Sequence, residues 1–359
     1  MAKRGRRKAR PAAETGRQRV RQQVVSLPRR ASAQLAPDAP LAAAGWCVMI
    51  VLLRPSSRTL LIFFHSDARA KRGMTDLYLG FAVLLASSLG AFCAAQRWPR
   101  ASSRRKGHLL MLCTLLATAA FAVFLRDNVL LARCLPFSNI IVLGNGFPIA
   151  TAILAGLAWR HSTGGWVRRS WPAVGLALVG GYACVQPLLG NAPICGDRWD
   201  QDQICRQTTP HTCAPACAAT VLKMHGIPAT EQELADLCLT RTGTTWQGLY
   251  RGLKRKTVGT PYDVEVFSCS ADDLRKLTPD CMILTVGLRR GAKVDPIYEQ
   301  QYSWTRGVMH AVLLFDFVGK DRVAMADPDV GKEQWTVTDL QVLFQRRGLR
   351  LVRRSDDGS

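Results

Sequence analysis

Four stretches without a charged residue constrain the fold of this chain more than any other feature. They cover residues 77–95, 109–125, 137–158 and 171–190. About 17 to 25 predominantly apolar residues are enough for an α-helix to cross the hydrocarbon core of a bilayer. Hydrophobic residues make up 48% of the chain, a high share for a soluble protein. The sequence therefore predicts a multi-pass membrane protein with its transmembrane region over residues 41–190.

A fifth candidate span, residues 41–64, is apolar except near its middle. There Arg54 and Arg58 would place two guanidinium groups at the bilayer centre, which costs several kcal/mol. Residues 1–40 are predicted to be a disordered basic tail near anionic lipid. Because the first 64 residues are rich in Arg, Ala and Pro, a translation start at Met74 is an alternative to one at Met1. The number of spans, four or five, stays open.

The net charge of +22 is concentrated in one half of the chain. Residues 1–190 hold 26 Lys and Arg against 5 Asp and Glu, whereas residues 191–359 hold 22 against 21. A nucleic-acid-binding protein carries its basic surface on a folded module, but these basic residues lie in the N-terminal segment and between the apolar stretches. This distribution is typical of a membrane protein and predicts a lipid bilayer, with no nucleic acid, as a partner.

The basic residues between the spans predict the orientation of the chain. Connections 96–108 and 159–170 hold eight Lys and Arg, whereas 65–76 and 126–136 hold five. The positive-inside rule places the first two connections in the cytoplasm. The chain after Gly190 is then predicted to lie on the non-cytoplasmic side of a bacterial inner membrane.

The composition changes after Gly190 from apolar to mixed. We predict a polar linker over 191–202, an α+β domain over 203–350 and a tail over 351–359. Helix signals come first in this domain and strand signals follow. The predicted elements are helices at 214–225, after Thr230 with Glu233, after Thr245 and after Thr338 with Gln341, the last of them ending near Gly348. The predicted strands are 282–288, 308–318, 322–326 and 334–337.

Four residues of this domain form a pattern that predicts nucleophilic catalysis. Cys213 lies at a predicted helix start, where free N–H groups and the helix dipole stabilise a thiolate. His310 begins an apolar strand and would act as the base, and Asp327 follows the next strand of the hairpin and would orient the imidazole. Gln207, six residues before Cys213, would complete an oxyanion hole with the Cys213 N–H.

Each of these residues taken alone is more often structural than catalytic, and their order along the chain makes the set specific. His211 is an alternative base, but it lacks a carboxylate partner in the predicted fold. The pairs Cys213 with Cys217 and Cys195 with Cys205 lack the spacing of zinc ligands. We therefore expect no metal and no other cofactor.

The segment around Cys213 also resembles a known enzyme family. Residues 207–217 read QTTPHTCAPAC, Gly226 stops the following helix, and an Asp-Pro pair stands at 327–328. This pattern is similar to the papain-like peptidase domains of bacteriocin-exporting ABC transporters, family 39 of the cysteine peptidases, which remove leader peptides after a double glycine. The resemblance covers residues 203–347.

The resemblance implies a papain-like fold, with a helical N-terminal part and an antiparallel sheet in its C-terminal part. Gln207, Cys213, His310 and Asp327 fall on the family's catalytic positions. The implied activity is hydrolysis of a peptide bond, and the implied partner is a peptide or protein substrate.

The chain departs from the family pattern at three points. Thr212 and Ala214 stand where the family commonly has Asp and Gly beside its nucleophile. The spans precede the peptidase-like domain, and no G-x-x-x-x-G-K-[ST] phosphate loop is present, so we expect no ATP-binding domain in this chain. Family members act in the cytoplasm, whereas this domain is predicted to lie outside, which weakens the inference of double-glycine specificity.

The cysteines of the domain leave two alternatives open. Without Cys213 their number is even, which is compatible with three disulfides in an oxidising compartment and equally with buried free thiols. The candidate pairs are Cys195 with Cys205, Cys217 with Cys238, and Cys269 with Cys281.

The sequence thus predicts a membrane-anchored cysteine peptidase that processes a leader peptide or matures a secreted peptide. One alternative is a non-cleaving peptide-binding or assembly protein with a peptidase-like groove, and another is a cysteine acyltransferase or transamidase. A transporter is disfavoured because the spans contain no acid or base, and residues 144–148 are interpreted as a kink rather than a binding site. Four aromatic residues line a specificity groove or pack locally: Trp246, Tyr298, Tyr302 and Trp304.

Overall fold

The computed structural model describes residues 74–97, 104–278 and 280–354. The predicted N-terminal tail and the candidate span at 41–64 lie outside the described residues. The described chain begins with apolar helices and ends with an antiparallel sheet that is preceded by further helices. The predicted α+β class, with its helical first part, is confirmed.

The four predicted apolar stretches are helical, and each helix is long and apolar enough to cross a membrane. Together they form what we call the helical bundle, residues 75–188. Its elements are α1 (Thr75–Arg97), α2 (Arg104–Ala120) with a π-helical turn (Phe121–Leu125), α3 (Leu130–Cys134), α4 (Ile140–Leu143), α5 (Phe147–His161) and α6 (Trp166–Val185) with a 3-10 turn (Gln186–Leu188).

The third apolar stretch is interrupted, as its Gly-Asn-Gly sequence predicted. Helix α4 ends at Leu143 and α5 begins at Phe147. Asn145 lies in the gap, where its side-chain amide donates to Ala183 O at 2.6 Å and its Oδ1 accepts from Phe147 N–H at 3.3 Å. The amide thus pairs with the Phe147 N–H, which the break leaves free, and links this segment to α6. Pairing of backbone groups freed by a break is what a membrane environment favours.

Helix α5 lies at the centre of the helical bundle and packs against α1, α2 and α6. Close approach depends on small residues: a Cβ at Gly156 would lie 2.6 Å from Phe92 O, and one at Gly180 would lie 2.3 Å from Thr151 Oγ1. The outer helices expose large apolar side chains, among them Leu85, Leu112 and Leu178. An outer surface of large apolar side chains is what a lipid environment favours.

The rest of the described chain forms the α+β region, residues 198–353. Three helices come first: α7 (Cys213–Met224), α8 (Glu231–Leu237) and α9 (Trp246–Lys256). The side chains of Thr230 and Thr245 accept hydrogen bonds from the N–H groups of Glu233 and Gly248 at 3.1 Å, so both predicted N-caps are formed.

Two short strands, β1 (Arg198–Trp199) and β2 (Cys205–Arg206), pair with each other. The elements after α9 are β3 (Tyr262–Phe267), a 3-10 helix (Asp272–Leu277), β4 (Met282–Gly287), α10 (Ile297–Gln300), β5 (Met309–Val318), β6 (Arg322–Asp327), β7 (Gly331–Thr336), α11 (Val337–Leu343) and β8 (Phe344–Arg353).

Strands β3 to β8 form a six-stranded antiparallel sheet in the order β3-β8-β4-β5-β6-β7. One face of this sheet packs against α7 and α9, and the other is covered by Leu274, Tyr298 and Leu340.

The end of the chain differs from the prediction. The last helix is capped by Thr336 with Asp339, not by Thr338 with Gln341, and it ends at Leu343. Strand β8 replaces its predicted second half and extends to Arg353, so residues 351–353 of the predicted tail lie in the sheet. Gly348, predicted as a helix stop, lies opposite Phe267, whose ring occupies the space of a missing Cβ.

Two aspartates at one end of the helical bundle bind the α+β region. Asp76, in the first turn of α1, accepts from Arg251 Nε at 2.9 Å and from Arg251 Nη2 at 2.7 Å. Asp127, after α2, accepts from Trp246 Nε1 at 3.0 Å and from Arg347 Nη1 at 3.2 Å. The α+β region therefore lies at the end of the bundle where α1 begins and α2 ends.

The opposite end of the helical bundle is basic. There the end of α1 meets the end of α5, since Arg160 Nη1 donates to Gln96 O at 3.3 Å, and the start of α2 meets the end of α5, since the His108 and His161 rings stack 5.8 Å apart. The described basic residues of these helix ends are Arg97, Arg105, Lys106, Arg160, Arg168 and Arg169.

Candidate active site

Cys213 is the first residue of α7, and α7 packs against strand β5. The His310 side chain and the Ala311 N–H lie close enough to the Cys213 sulfur that both lower the pKa of its thiol. The sulfur thus lies at the positive end of a helix, beside a backbone donor and an imidazole. All three favour a thiolate over a thiol.

His310 and Asp327 lie on neighbouring strands at the same end of the sheet. His310 is the second residue of β5, and Asp327 is the last residue of β6. The His310 Nε2 and Asp327 Oδ1 atoms are 2.9 Å apart, and the carboxylate is buried. Because Nε2 faces the carboxylate, Nδ1 is the ring nitrogen left for Cys213. The structure thus brings the predicted nucleophile, base and orienting carboxylate together.

The pKa values of Cys213 and His310 shift in opposite directions. Burial raises the pKa of Cys213, but the positive charge of His310 and the hydrogen bonds from His310 and Ala311 outweigh burial, so the pKa is lowered. Burial lowers the pKa of His310, but the negative charges of Asp327 and Cys213 raise it well above its ordinary value. The pair therefore favours a thiolate beside an imidazolium, the reactive form of a cysteine nucleophile.

The other cysteines of the α+β region and of the linker before it have the opposite shift. Cys217 lies one turn after Cys213 in α7, and its thiol donates to Ala311 O at 3.4 Å. Burial raises the pKa of each of the six, which are Cys195 (to about 11), Cys205, Cys238 and Cys281 (to about 12), Cys217 and Cys269. In residues 198–353 and the preceding linker, Cys213 alone has surroundings that favour the thiolate.

Gln207, the predicted oxyanion donor, follows strand β2 and lies beside the loop that begins at Asp327. Its N–H donates to Pro328 O at 2.8 Å. Its side-chain Oε1 is buried, with no hydrogen-bond partner in the part of the chain that the structure describes. Native proteins leave few buried polar atoms unpaired, so this amide is a candidate for contact with a ligand.

His211, the alternative base, lies in the turn before α7. Its Nδ1 atom is buried and has no hydrogen-bond partner within the described ranges. The Asp327 carboxylate is bonded to His310 instead. The geometry favours His310 as the base.

The aromatic residues predicted for a groove have different positions. The Trp304 ring packs edge-on against His310, with centroids 6.2 Å apart. Trp246 binds Asp127 of the helical bundle, and Tyr298 donates to Asp339 Oδ1 at 2.8 Å while packing against Tyr302. Trp304 is thus the one of the four that contacts a predicted catalytic side chain.

Glu333 is a site residue that the sequence did not indicate. It lies on β7, accepts from Trp335 Nε1 at 2.8 Å, and has its pKa raised by burial and by the charge of Asp327. Trp335 in turn packs against Trp304, with centroids 6.0 Å apart. Glu333 comes close to Asp327 because β7 pairs with β6, and no local sequence motif predicts that pairing.

The cysteines that the structure describes are free thiols, so the three candidate disulfides are not formed. Cys217 instead contacts Ala311 O. The Cys238 sulfur packs so closely against Gly252 that a Cβ added at Gly252 would lie 2.3 Å from the sulfur. Among the residues described, no group of three or more His, Cys, Asp or Glu is placed to hold a metal ion.

One protein-family model matches part of the α+β region. Residues 201–284 match the model of the Peptidase C39 family. The resemblance to cysteine peptidase family 39 is therefore confirmed over this segment, which contains Gln207 and Cys213 but ends before His310 and Asp327. The comparison with curated proteins gave no match.

Solved structures of two transporter peptidases are also similar to part of this chain. The peptidase domain of Streptococcus ComA, a bifunctional ABC transporter of a quorum-sensing pathway, is 18% identical, with a TM-score of 0.33 over 42% of this chain and 96% of that domain. A double glycine motif protease from an AMS/PCAT transporter, solved with a leader peptide, is 16% identical, with a TM-score of 0.31 over 46% of this chain and 95% of that one.

Proposed function

We propose that this chain is a membrane-anchored cysteine peptidase that hydrolyses a peptide bond in a secreted peptide or protein. The observation that carries this proposal is the position of Cys213: its sulfur lies at a helix start against His310, which is bonded to Asp327. The match of residues 201–284 to a peptidase family supports the same reaction.

The geometry suggests a two-step mechanism. The Cys213 thiolate attacks the peptide carbonyl carbon, and the carbonyl oxygen becomes an oxyanion that the Cys213 N–H and the Gln207 amide stabilise. The His310 imidazolium then gives its proton to the leaving amine, which breaks the C–N bond and leaves a thioester. His310, oriented by Asp327, next takes a proton from water, which attacks the thioester and frees the acid and the thiolate.

The rival functions predict different products. A non-cleaving binding protein has no use for a lowered thiol pKa, so the state of Cys213 favours an enzyme. A transamidase shares the thioester step and differs only in the second acceptor. Incubation of a cleaved peptide with an added primary amine separates the two, because only a transamidase attaches the amine to the new C-terminus.

Labelling of the full-length protein in detergent micelles tests the proposed nucleophile. A peptide vinyl sulfone is expected to modify Cys213, and the rate is expected to stay high below the ordinary pKa of a thiol before it falls as the pH drops through the lowered pKa of Cys213. Mass spectrometry locates the adduct.

Two variants make the labelling test decisive. Labelling is expected to be lost in His310→Ala, and a Cys217→Ala variant, altered one turn further along α7, is expected to label like the wild type. Slow modification spread over several cysteines and unaffected by His310→Ala would contradict the proposal and favour a peptide-binding protein.

We further propose that the α+β region lies on the non-cytoplasmic side of the membrane. The helical bundle binds this region at its less basic end, while Arg97, Arg105, Arg160 and Arg169 lie at the opposite end. Basic residues favour the cytoplasmic side. A peptidase in this position meets substrates during or after export, which is why a secreted substrate is proposed.

Reporter fusions in a bacterial host test this orientation. Alkaline phosphatase, which is active only outside the cytoplasm, is expected to be active when fused after Ser359 and inactive when inserted after Thr163 in the connection between α5 and α6. Green fluorescent protein at the same two positions is expected to give the complementary result. The reverse pattern would place the peptidase in the cytoplasm.

A further inference from the structure

Arg206 directly precedes Gln207 and contacts the loop that follows Asp327. Its Nε atom donates to Pro328 O at 3.1 Å, and its Nη2 atom donates to Asp329 O. Its Nη1 atom is 3.5 Å from Asp200 Oδ2. The Arg206 guanidinium therefore contacts two successive carbonyl groups of the loop and the carboxylate of Asp200.

The same loop holds the carboxylate of Asp327. The Asp329 N–H donates to Asp327 Oδ1 at 2.8 Å, and this oxygen also faces His310 Nε2 at 2.9 Å. The Val330 N–H donates to the Asp327 backbone oxygen at 3.2 Å. The position of the Asp329 amide thus determines where Oδ1 lies and how it meets the imidazole.

Arg206 also joins this loop to the predicted oxyanion donor. Pro328 O accepts from both Arg206 Nε and the Gln207 N–H, so the two halves of the site share one acceptor. The guanidinium occupies space beside Gly331, where an added Cβ would lie 2.7 Å from Arg206 Nη1 and where φ is +105°. The turn after Asp327 is therefore shaped to admit an arginine.

We infer that Arg206 is a positioning residue that fixes the Asp327–Asp329 loop and, through it, the hydrogen bond between Asp327 and His310. This inference rests on the proposed function of Cys213 and His310 as a catalytic pair. This role requires a planar guanidinium group whose N–H groups reach three different acceptors. The single ammonium group of lysine cannot make the same set of contacts. Arg206 itself contacts no reacting atom.

The test is the pH profile of Cys213 alkylation in the full-length protein in detergent micelles, with iodoacetamide as the probe. In Arg206→Met the Asp327 carboxylate is less well placed to stabilise the imidazolium, so the acidic limb of the profile is expected to move to higher pH. The rate at about pH 6 is expected to fall about tenfold. Arg206→Lys is expected to give an intermediate profile.

Arg275→Met is a matched control, because Arg275 contacts the turn between β5 and β6 in the way that Arg206 contacts the loop after β6. Arg275 Nη1 and Nη2 donate to Gly319 O at 2.9 Å and Lys320 O at 2.6 Å, and its guanidinium lies 4.1 Å from the Phe317 ring centroid. It therefore clamps two carbonyls at the hairpin turn, away from His310. Its loss is expected to leave the alkylation profile unchanged, and thermal melts of both variants show whether each is folded.

The outcomes separate this inference from the proposed function. A shifted profile in Arg206→Met but not in Arg275→Met supports the positioning role, even where the wild type cleaves no peptide and the proposed hydrolysis fails. A profile in Arg206→Met that coincides with the wild type overturns the inference, whether or not peptides are cleaved. Equal shifts in both variants also overturn it, because they indicate a general loss of stability. Should Arg206→Met not fold, the Arg206→Lys profile decides in the same way.

Discussion

Replacing Cys213 by serine is expected to lower the rate of peptide hydrolysis at least about a thousandfold. A hydroxyl has a much higher pKa than a thiol, so the imidazolium of His310 cannot stabilise it as an anion. Helix α7 and the hydrogen bond between His310 and Asp327 do not depend on the sulfur. The variant is therefore expected to remain folded and to bind substrate without cleaving it.

Cys217→Ser is the matched control for this prediction. Cys217 lies one turn further along α7 and donates to Ala311 O at 3.4 Å, a bond that a serine hydroxyl can also make. This variant is expected to keep most of its activity. Initial rates on a cleaved peptide, measured with the full-length protein at equal concentrations, provide the comparison. Residual activity in Cys213→Ser close to that of Cys217→Ser would mean that another group is the nucleophile.

Much of the α+β region could be predicted because its helices carry strong local signals. Thr230 and Thr245 are capping residues that act within one helical turn, and the apolar segment before Phe315 is long enough to indicate a buried strand. Four strands were missed: β1 and β2 have only two residues each, and β3 and β8 lack a long apolar run. In parts of β3 and β8 charged residues alternate with apolar ones, which fits a half-buried strand, but their partners, as in Arg350 with Glu265, lie 85 positions apart. Only the assembled sheet reveals these pairs.

Three residues of the candidate site could be predicted because each lies at the end of a helix or strand that the sequence itself indicates. A helix start marks Cys213, and a single hairpin brings His310 and Asp327 together. The packing of α7 against β5 then joins Cys213 to the other two. Arg206 and Glu333 could not be found in this way. Their roles depend on contacts with the loop after Asp327 and on the pairing of β7, which arise only when the chain is folded.

A buried ion pair joins the helical bundle to the α+β region. Arg251 of α9 is fully buried and binds both carboxylate oxygens of Asp76, and Arg251 Nη1 also donates to Leu237 O at 2.5 Å. Leu131, Ala132 and Ile140 of the bundle belong to the same apolar cluster as the helices of the α+β region. The α+β region is therefore packed onto the bundle rather than tethered to it.

Asp76→Leu alone is expected to lower the free energy of unfolding by about 3–5 kcal/mol, because it removes the carboxylate that neutralises the buried Arg251 charge. The double variant Asp76→Leu with Arg251→Met removes both charges and is expected to recover most of this loss. Urea titration of the full-length protein in detergent micelles, followed by tryptophan fluorescence, measures both.

The matched control is Lys256→Met, which removes a charge from the same helix α9. Lys256 Nζ binds Glu233 Oε1 at 2.8 Å, but the Glu233 side chain is 44% exposed, so water replaces the lost partner. This variant is expected to cost less than about 1 kcal/mol. An Asp76→Leu variant as stable as Lys256→Met would show that the α+β region unfolds without regard to the bundle. A large loss of stability in Asp76→Leu that the double variant recovers would show that the helical bundle stabilises the α+β region.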